Sequence, residues 1–126
     1  MKKISVLIVD DSSVMRKIIE RSLRQSGLEI EKVIEADNGA DALTQVEANT
    51  IDLIFSDVNM PKMDGIEFLR QVRGMEKAKG IPILMITTEG SEQKVVEAIT
   101  LGAKGYIRKP FSADQVREQV TQLLPQ

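Results

Sequence analysis

The sequence predicts a single α/β domain built on a parallel sheet with helices on both faces. Short apolar runs rich in β-branched residues alternate five times with longer segments of helical periodicity, within 126 residues. The first, third and fourth runs are almost continuously apolar, as are strands that are covered on both faces. Because crossovers between parallel strands are right-handed, five such units make a doubly wound sheet, and we expect residues 1–126 to form one domain.

Each of the five units contains one strand and one helix. The predicted strands are ISVLIV (4–9), VIEA (33–36), DLIFSD (52–57), IPILMIT (81–87) and GYIR (105–108). The predicted helices cover residues 12–27, 38–48, 64–74, 91–102 and 112–124.

Residues at the helix ends support these boundaries. Three glycines stand where a helix would end in a left-handed residue, namely Gly27, Gly74 and Gly102. Ser112 and Gln115 have the spacing of a capping box, so we expect the last helix to begin there.

The composition excludes several classes of function. Seventeen Lys and Arg against 19 Asp and Glu give a net charge of −2, which favours neither nucleic-acid binding nor a polybasic membrane anchor. There is no cysteine and no histidine, so any chemistry must use carboxylates, hydroxyls, lysine and hard cations. The apolar stretch 4–9 is too short for a signal peptide or a membrane span, and we expect a cytoplasmic protein.

Polar residues follow the predicted strands at their carboxyl ends, where open parallel sheets bind ligands. Strand one is followed by Asp10 and Asp11, strand three ends in Asp57, strand four in Thr87, and strand five is followed by Lys109. We take the order 2-1-3-4-5 from known doubly wound sheets, since the sequence alone does not determine it. In this order the residues converge on one small volume.

Taken singly, each of these residues has an ordinary explanation. Asp10 or Asp11 could begin a helix, although Ser12 and Ser13 already provide good caps. Asp57 alone could be a solvated loop residue, and Lys109 alone a surface charge. Their common position at one edge of the sheet favours a functional site.

Three crowded carboxylates require a compensating cation or protons. Mg²⁺ fits best, with Mn²⁺ as a substitute, because it takes one or two carboxylates and accepts phosphate oxygens as further ligands. A carboxylate beside Mg²⁺ can attack phosphorus, and Asp57 is the predicted nucleophile because it ends the central strand. Lys109 would neutralise charge while the Thr87 hydroxyl binds a phosphoryl oxygen.

Four motifs, in order and at compatible spacing, resemble those of one family. They are VDDS (9–12), SDVNMPKMDG (56–65), MITTE (85–89) and GYIRKPF (105–111). The chain resembles the receiver domain of two-component response regulators, and among these the stand-alone, CheY-like chemotaxis type, from about Ile4 to Leu124. The resemblance implies a flavodoxin-like (βα)5 fold with no output domain.

The resemblance also implies the roles of residues around the predicted nucleophile. Asp57 would accept a phosphoryl group from a phosphohistidine of a partner sensor histidine kinase. Asp11, Asp57 and the backbone carbonyl of Asn59 would be the protein ligands of Mg²⁺, with Asp10 acting through water. Such a protein is not an enzyme in the usual sense, but assists its own phosphorylation and dephosphorylation.

A conformational switch is implied by the same resemblance. Thr87 would move toward the phosphoryl group and Tyr106 would turn inward, which changes the surface formed by helix four, strand five and helix five. Asn59 and Glu89 would tune the rate of dephosphorylation, and the Lys109–Pro110 peptide is cis in similar proteins.

The expected partners follow from this switch. They are a sensor histidine kinase, a downstream motor or regulatory protein, and a phosphatase, with no nucleic acid and no membrane. We expect a monomer that acts in chemotaxis or motility. The sequence leaves open a flagellar, a pilus-based or a phosphorelay output.

Two other functions fit the same fold class. A phosphatase of the haloacid dehalogenase type also uses Mg²⁺ and an aspartyl nucleophile, but it places a D-x-D motif at the first strand and needs a cap. A flavodoxin-like FMN carrier would bind phosphate beside Asp10 and Asp11, which would repel it. Its flavin would have to stack on the few aromatic residues present, which are Tyr106, Phe55, Phe68 and Phe111.

Overall fold

The computed structural model describes residues 3–58, 60, 62–87, 92–109 and 111–123. Strands and helices alternate through this part of the chain, as predicted. Their bounds are β1 Ile4–Val9, α1 Ser13–Gln25, β2 Ile30–Ala36, α2 Gly39–Ala48, β3 Leu53–Asp57, α3 Gly65–Arg73, β4 Ile83–Thr87, α4 Glu92–Thr100, β5 Gly105–Arg108 and α5 Ala113–Leu123. A 3₁₀ turn at Glu76–Ala78, which the sequence pattern did not predict, follows α3. No helix of the described chain combines the length and apolar character needed to cross a membrane.

All five strands are parallel, in the order β2-β1-β3-β4-β5, which confirms the predicted flavodoxin-like topology. β3 is central, with Asp57 opposite Ile86 of β4. Thr87, at the end of β4, is opposite Arg108 of β5. The carboxyl ends of β1, β3, β4 and β5 therefore meet at one edge of the sheet.

Alternate residues of each central strand enter two separate cores. In β1, Leu7 and Val9 pack with α2, α3 and α4, whereas Val6 and Ile8 pack with α1 and α5. Both faces of the strand are buried, which explains its almost continuously apolar sequence. Burial of each large apolar side chain stabilises the fold by about 1.5–3 kcal/mol. The two cores therefore hold the carboxyl edge of the sheet, called the polar edge below, in place from both sides.

The helix-end predictions are mostly confirmed. The Ser112 backbone N–H donates to Gln115 Oε1 at 2.8 Å and the Gln115 N–H donates to Ser112 Oγ at 3.2 Å, which is the predicted capping box. Gly27 and Gly102 have φ values of +89° and +107°. Gly74 was predicted to be left-handed and is not, with φ −86°, because α3 closes in a right-handed turn at Gly74 and the chain becomes extended only at Met75.

The start of β2 was also predicted wrongly. The strand begins at Ile30, three residues before the predicted Val33, because β1 pairs with it from Ile4 onward. Glu31 and Lys32 are exposed on this edge strand and give no apolar signal. Pairing with β1 therefore extends β2 beyond the residues that the hydrophobic pattern indicates.

Arg73 fastens the end of α3 to two loops. Its guanidinium donates to the carbonyls of Lys79 and Ile81, both at 3.1 Å, and to that of Gly102 at 2.9 Å. Burial lowers the pKa of Arg73 from its usual value. The side chain thereby links the connection after α3 to the turn between α4 and β5.

Candidate functional site

Asp10 is the most buried residue of the polar edge, with 1% of its surface exposed. Its backbone N–H continues the sheet by donating to the Ala36 carbonyl of β2 at 3.1 Å. Its carboxylate accepts the Ser12 N–H at 2.9 Å and the Lys109 ammonium at 3.4 Å. The first acid of the pair is therefore fixed in place by contacts from three segments.

Burial raises the pKa of the Asp10 carboxyl. The Ser12 N–H and the Lys109 ammonium act in the opposite direction, while the neighbouring charge of Asp11 adds to the rise. A raised folded-state pKa means that ionised Asp10 destabilises the fold as pH rises through the ordinary carboxyl range. A cation bound beside the carboxylate would offset this cost.

Asp57 brings the third carboxylate to Asp10 and Asp11. It is the last residue of β3 and is buried, whereas Asp11 is exposed. Each of the three acids offers one carboxylate oxygen, and these oxygens lie within 4.8 Å of one another. The three acids predicted to form a metal site thus form a single cluster that could hold a metal ion.

Lys109 extends into this cluster from the loop after β5. Its ammonium lies 3.4 Å from Asp10 Oδ2 and 3.9 Å from Asp57 Oδ1. Its backbone N–H donates to the Thr87 carbonyl at 2.7 Å, which ties the loop after β5 to the end of β4. Among the described residues, this ammonium contacts two of the three clustered carboxylates, so the cluster keeps an excess of negative charge when all three are ionised.

The two predicted switch residues lie in different surroundings. Thr87 is buried at the end of β4, at the same edge of the sheet as the acids. Tyr106, in β5 opposite Met85, is 47% exposed. In this structure the tyrosine is at the surface.

Other predicted residues lie outside the described residues. They are Asn59, Glu89 and the proline of the Lys109–Pro110 peptide.

The described part of the cluster supplies carboxylate oxygens and contains neither nitrogen nor sulfur ligands. This set of donors fits a hard divalent cation such as Mg²⁺.

Sequence reasoning missed two residues that support the cluster. Arg16 donates to the Asp10 carbonyl from the first turn of α1. Gly65, the first residue of α3, donates its N–H to the Val58 carbonyl at 2.9 Å, and a Cβ there would overlap the Asp57 carbonyl oxygen. A signal for Gly65 existed in the Asp64–Gly65 pair, while nothing in the pattern distinguished Arg16 from a surface charge.

The fold and the acidic cluster define the class of protein. The model of the response regulator receiver domain family matches residues 6–121, and the chain belongs to this family. Its members are signalling proteins of two-component systems and not enzymes of the usual kind.

The relatives narrow the class to the CheY type. The chain is 41% identical over 118 residues to the chemotaxis protein CheY of Pseudomonas aeruginosa, covering 94% of each. Among solved structures, the chemotaxis response regulator CheY4 of Vibrio cholerae has a TM-score of 0.85 at 38% identity, with 98% of this chain and 100% of that chain covered.

A third comparison concerns a structure solved with a metal. The receiver domain of a sensor histidine kinase from Pseudomonas aeruginosa, described with a magnesium ion coordinated in its active site cleft, has a TM-score of 0.82 at 25% identity. The alignment covers 97% of this chain and 98% of that one.

Proposed function

We propose that this protein accepts a phosphoryl group on Asp57 from a sensor histidine kinase and passes the signal on by protein contact in the cytoplasm. The observation that carries the proposal is the convergence of Asp57 with Asp10, Asp11 and Lys109 at one edge of the sheet. In-line phosphoryl transfer needs positioning and charge neutralisation more than covalent chemistry, and this set of residues supplies both.

In the transfer step a carboxylate oxygen of Asp57 attacks the phosphorus. A P–O bond forms while the P–N bond of the kinase phosphohistidine breaks, and the imidazole nitrogen keeps the electron pair and takes up a proton. The Lys109 ammonium, 3.9 Å from Asp57, binds a phosphoryl oxygen and balances part of the new charge. The 126 residues contain no histidine, so the donor imidazole lies outside them.

Asp11, Asp57 and the backbone carbonyl of Asn59 would hold Mg²⁺, with Asp10 acting through water. The oxygen-only cluster supports this assignment, as does the magnesium ion in the similar kinase receiver domain. When bound, Mg²⁺ neutralises charge on the phosphoryl oxygens, and Mn²⁺ can replace it. Asn59 and Glu89 would then tune how fast the phosphoryl group is lost, with or without a partner phosphatase.

The output surface comprises α4, β5 and α5. Three exposed apolar side chains on it support this role, namely Val96 and Ile99 of α4 and Tyr106 of β5, at 67%, 45% and 47% exposure. Phosphorylation adds close to two negative charges beside Thr87 and Lys109 and favours a second arrangement of this surface. Thr87 moves toward the phosphoryl group and Tyr106 turns inward.

The names of the relatives favour chemotaxis or motility as the pathway. The downstream partner is then a motor component or a further regulator, and the protein works as a monomer. The hypothesis of a flavodoxin-like FMN carrier has weak support, because Phe55 and Phe68 are fully buried in the two cores and offer no surface on which a flavin could stack.

We expect rapid phosphotransfer from one histidine kinase of the source organism. Purified, autophosphorylated kinases are each mixed with this protein and Mg²⁺, and the label on this protein is followed over time. The cognate kinase should transfer much faster than the others, and chelation of Mg²⁺ should abolish transfer. Absence of transfer from every kinase, combined with sustained phosphate release from simple monoesters, would instead support the phosphatase.

Lys109→Ala should uncouple phosphorylation from the switch. The nucleophile and the proposed metal ligands remain, so labelling continues. The loop after β5, however, no longer has an ammonium that binds the phosphoryl group. Tyr106 is the sole tyrosine and there is no tryptophan, so tyrosine fluorescence reports on this position alone. Beryllofluoride with Mg²⁺ should change the fluorescence of the wild type and of the exposed control Lys104→Ala, but not of Lys109→Ala. If Lys109→Ala showed the same fluorescence change as the wild type, this lysine would have no part in the switch.

A further inference from the structure

The turn that carries Asp10 and Asp11 is held by a side chain outside the cluster. Arg16 Nη1 donates to the backbone carbonyl of Asp10 at 2.6 Å, and Arg16 Nε donates to Glu35 Oε1 at 2.8 Å. The guanidinium is largely buried, with 16% of the side chain exposed. One planar group therefore connects the Asp10–Asp11 peptide to β2.

Glu35 fixes this guanidinium from β2. Its pKa is lowered, chiefly by the hydrogen bond from Arg16 and further by that from Lys17. Lys17 Nζ lies 3.1 Å from the other carboxylate oxygen of Glu35 but is an exposed side chain. Arg16 and Lys17 thus share an acidic partner, but of the two only Arg16 donates to the Asp10 carbonyl.

The placement of Asp11 depends on this contact. Asp10 is held by hydrogen bonds to its own carboxylate, but the exposed Asp11 side chain makes no hydrogen bond or ion pair with another described residue. Its position follows from the backbone. Because Arg16 binds the carbonyl of the Asp10–Asp11 peptide, it fixes the peptide plane from which the Asp11 side chain leaves.

We propose that Arg16 and Glu35 form a positioning pair for the metal site, which sets the Asp11 carboxylate at the distance from Asp57 that Mg²⁺ binding requires. This inference rests on the proposed function, since it assumes that Asp11 and Asp57 hold the metal. Groups that orient metal ligands from outside typically change metal affinity by roughly 10–100-fold when they are removed.

The direction of the change in Mg²⁺ affinity on substitution distinguishes a positioning role from a simple charge effect. A positive charge near the cluster repels Mg²⁺, so neutralising Arg16 or Lys17 should tighten binding if charge alone mattered. Loss of the hydrogen bond to Asp10 should weaken binding instead. Lys17→Gln is the matched control, because it removes the same charge and a contact with the same glutamate.

The experiment is Mg²⁺ titration of the full chain by calorimetry at low and high salt, with thermal unfolding of the metal-free proteins alongside. Arg16→Gln should weaken Mg²⁺ binding by about tenfold or more. Lys17→Gln should leave binding within about twofold of the wild type or tighten it. Glu35→Gln should weaken binding at both salt concentrations, because salt screens a field effect but not a misplaced ligand.

A second variant covers the case in which Arg16→Gln does not fold. Arg16→Lys keeps the charge but cannot bridge a carbonyl and a carboxylate with a planar fork, so it too should bind Mg²⁺ more weakly. Wild-type affinity in Arg16→Lys, or Arg16→Gln binding as tightly as Lys17→Gln, would overturn the inference. If the wild type itself does not bind Mg²⁺, the proposed metal site is wrong, and the inference falls with it.

Discussion

Asp57→Asn should reduce labelling by a small phosphodonor such as acetyl phosphate to background. The amide keeps the shape of the side chain but removes the charge of the proposed nucleophile, and with it one of the three clustered carboxylates. Labelling is measured with radiolabelled donor and Mg²⁺. Chelation of Mg²⁺ before the donor is added should reduce labelling of the wild type to the same background.

The matched control for this variant is Asp64→Asn, in the segment before α3. The Asp64 carboxylate caps α3 by accepting the Glu67 N–H at 2.9 Å, and asparagine caps helices equally well, so labelling should remain at the wild-type level. Asp57→Asn should also be at least as stable as the wild type without metal, because carboxylate repulsion is reduced. Full labelling of a folded Asp57→Asn protein would show that the acceptor is elsewhere.

Gly65→Ala should destabilise the protein by about 2–4 kcal/mol, because the new methyl group would meet backbone that cannot move freely. It would overlap the Asp57 carbonyl oxygen and lie 3.0 Å from Val58 Cα and Met85 Cε. For a chain of this length the loss corresponds to about 10 °C in the melting temperature. Calorimetric melting measures the loss, and labelling of the surviving folded protein should fall because β3 must shift under Asp57.

Gly74→Ala is the control at the other end of α3. Its φ of −86° suits alanine and the nearest heavy atom to a new Cβ is the Gln71 carbonyl oxygen at 3.5 Å. We expect a change within about 1 kcal/mol, with stabilisation as the favoured direction. Equal losses in the two variants would mean that Gly65 is not packed against Asp57.

Much of the fold could be predicted because its signals are local. The buried faces of β1 make its sequence almost continuously apolar, and Ser112 with Gln115 forms a cap within one helical turn. Where the structure depends on pairing between distant segments, the hydrophobic pattern predicted less of it. The start of β2 at Ile30, where the next two residues are exposed, and the right-handed conformation of Gly74 both follow from neighbours that periodicity does not reveal.

The candidate site divides in the same way. Asp10, Asp11, Asp57 and Lys109 could be brought together from sequence, because parallel strands share one carboxyl edge. Arg16 could not, since its role depends on Glu35 of β2 lying beside α1. An arginine on an amphipathic helix is ordinarily a surface charge, and only the tertiary contact with the Asp10 carbonyl distinguishes it.

The identity of the phosphorylated residue tests the central claim most directly. Wild-type protein is phosphorylated by acetyl phosphate with Mg²⁺, reduced with borohydride, which converts an aspartyl phosphate to homoserine, and mapped by peptide mass spectrometry. We predict homoserine at position 57 alone, and none when Mg²⁺ is chelated before the donor is added. Homoserine at position 10 or 11, or an unmodified Asp57 in protein that carries the label, would contradict the account.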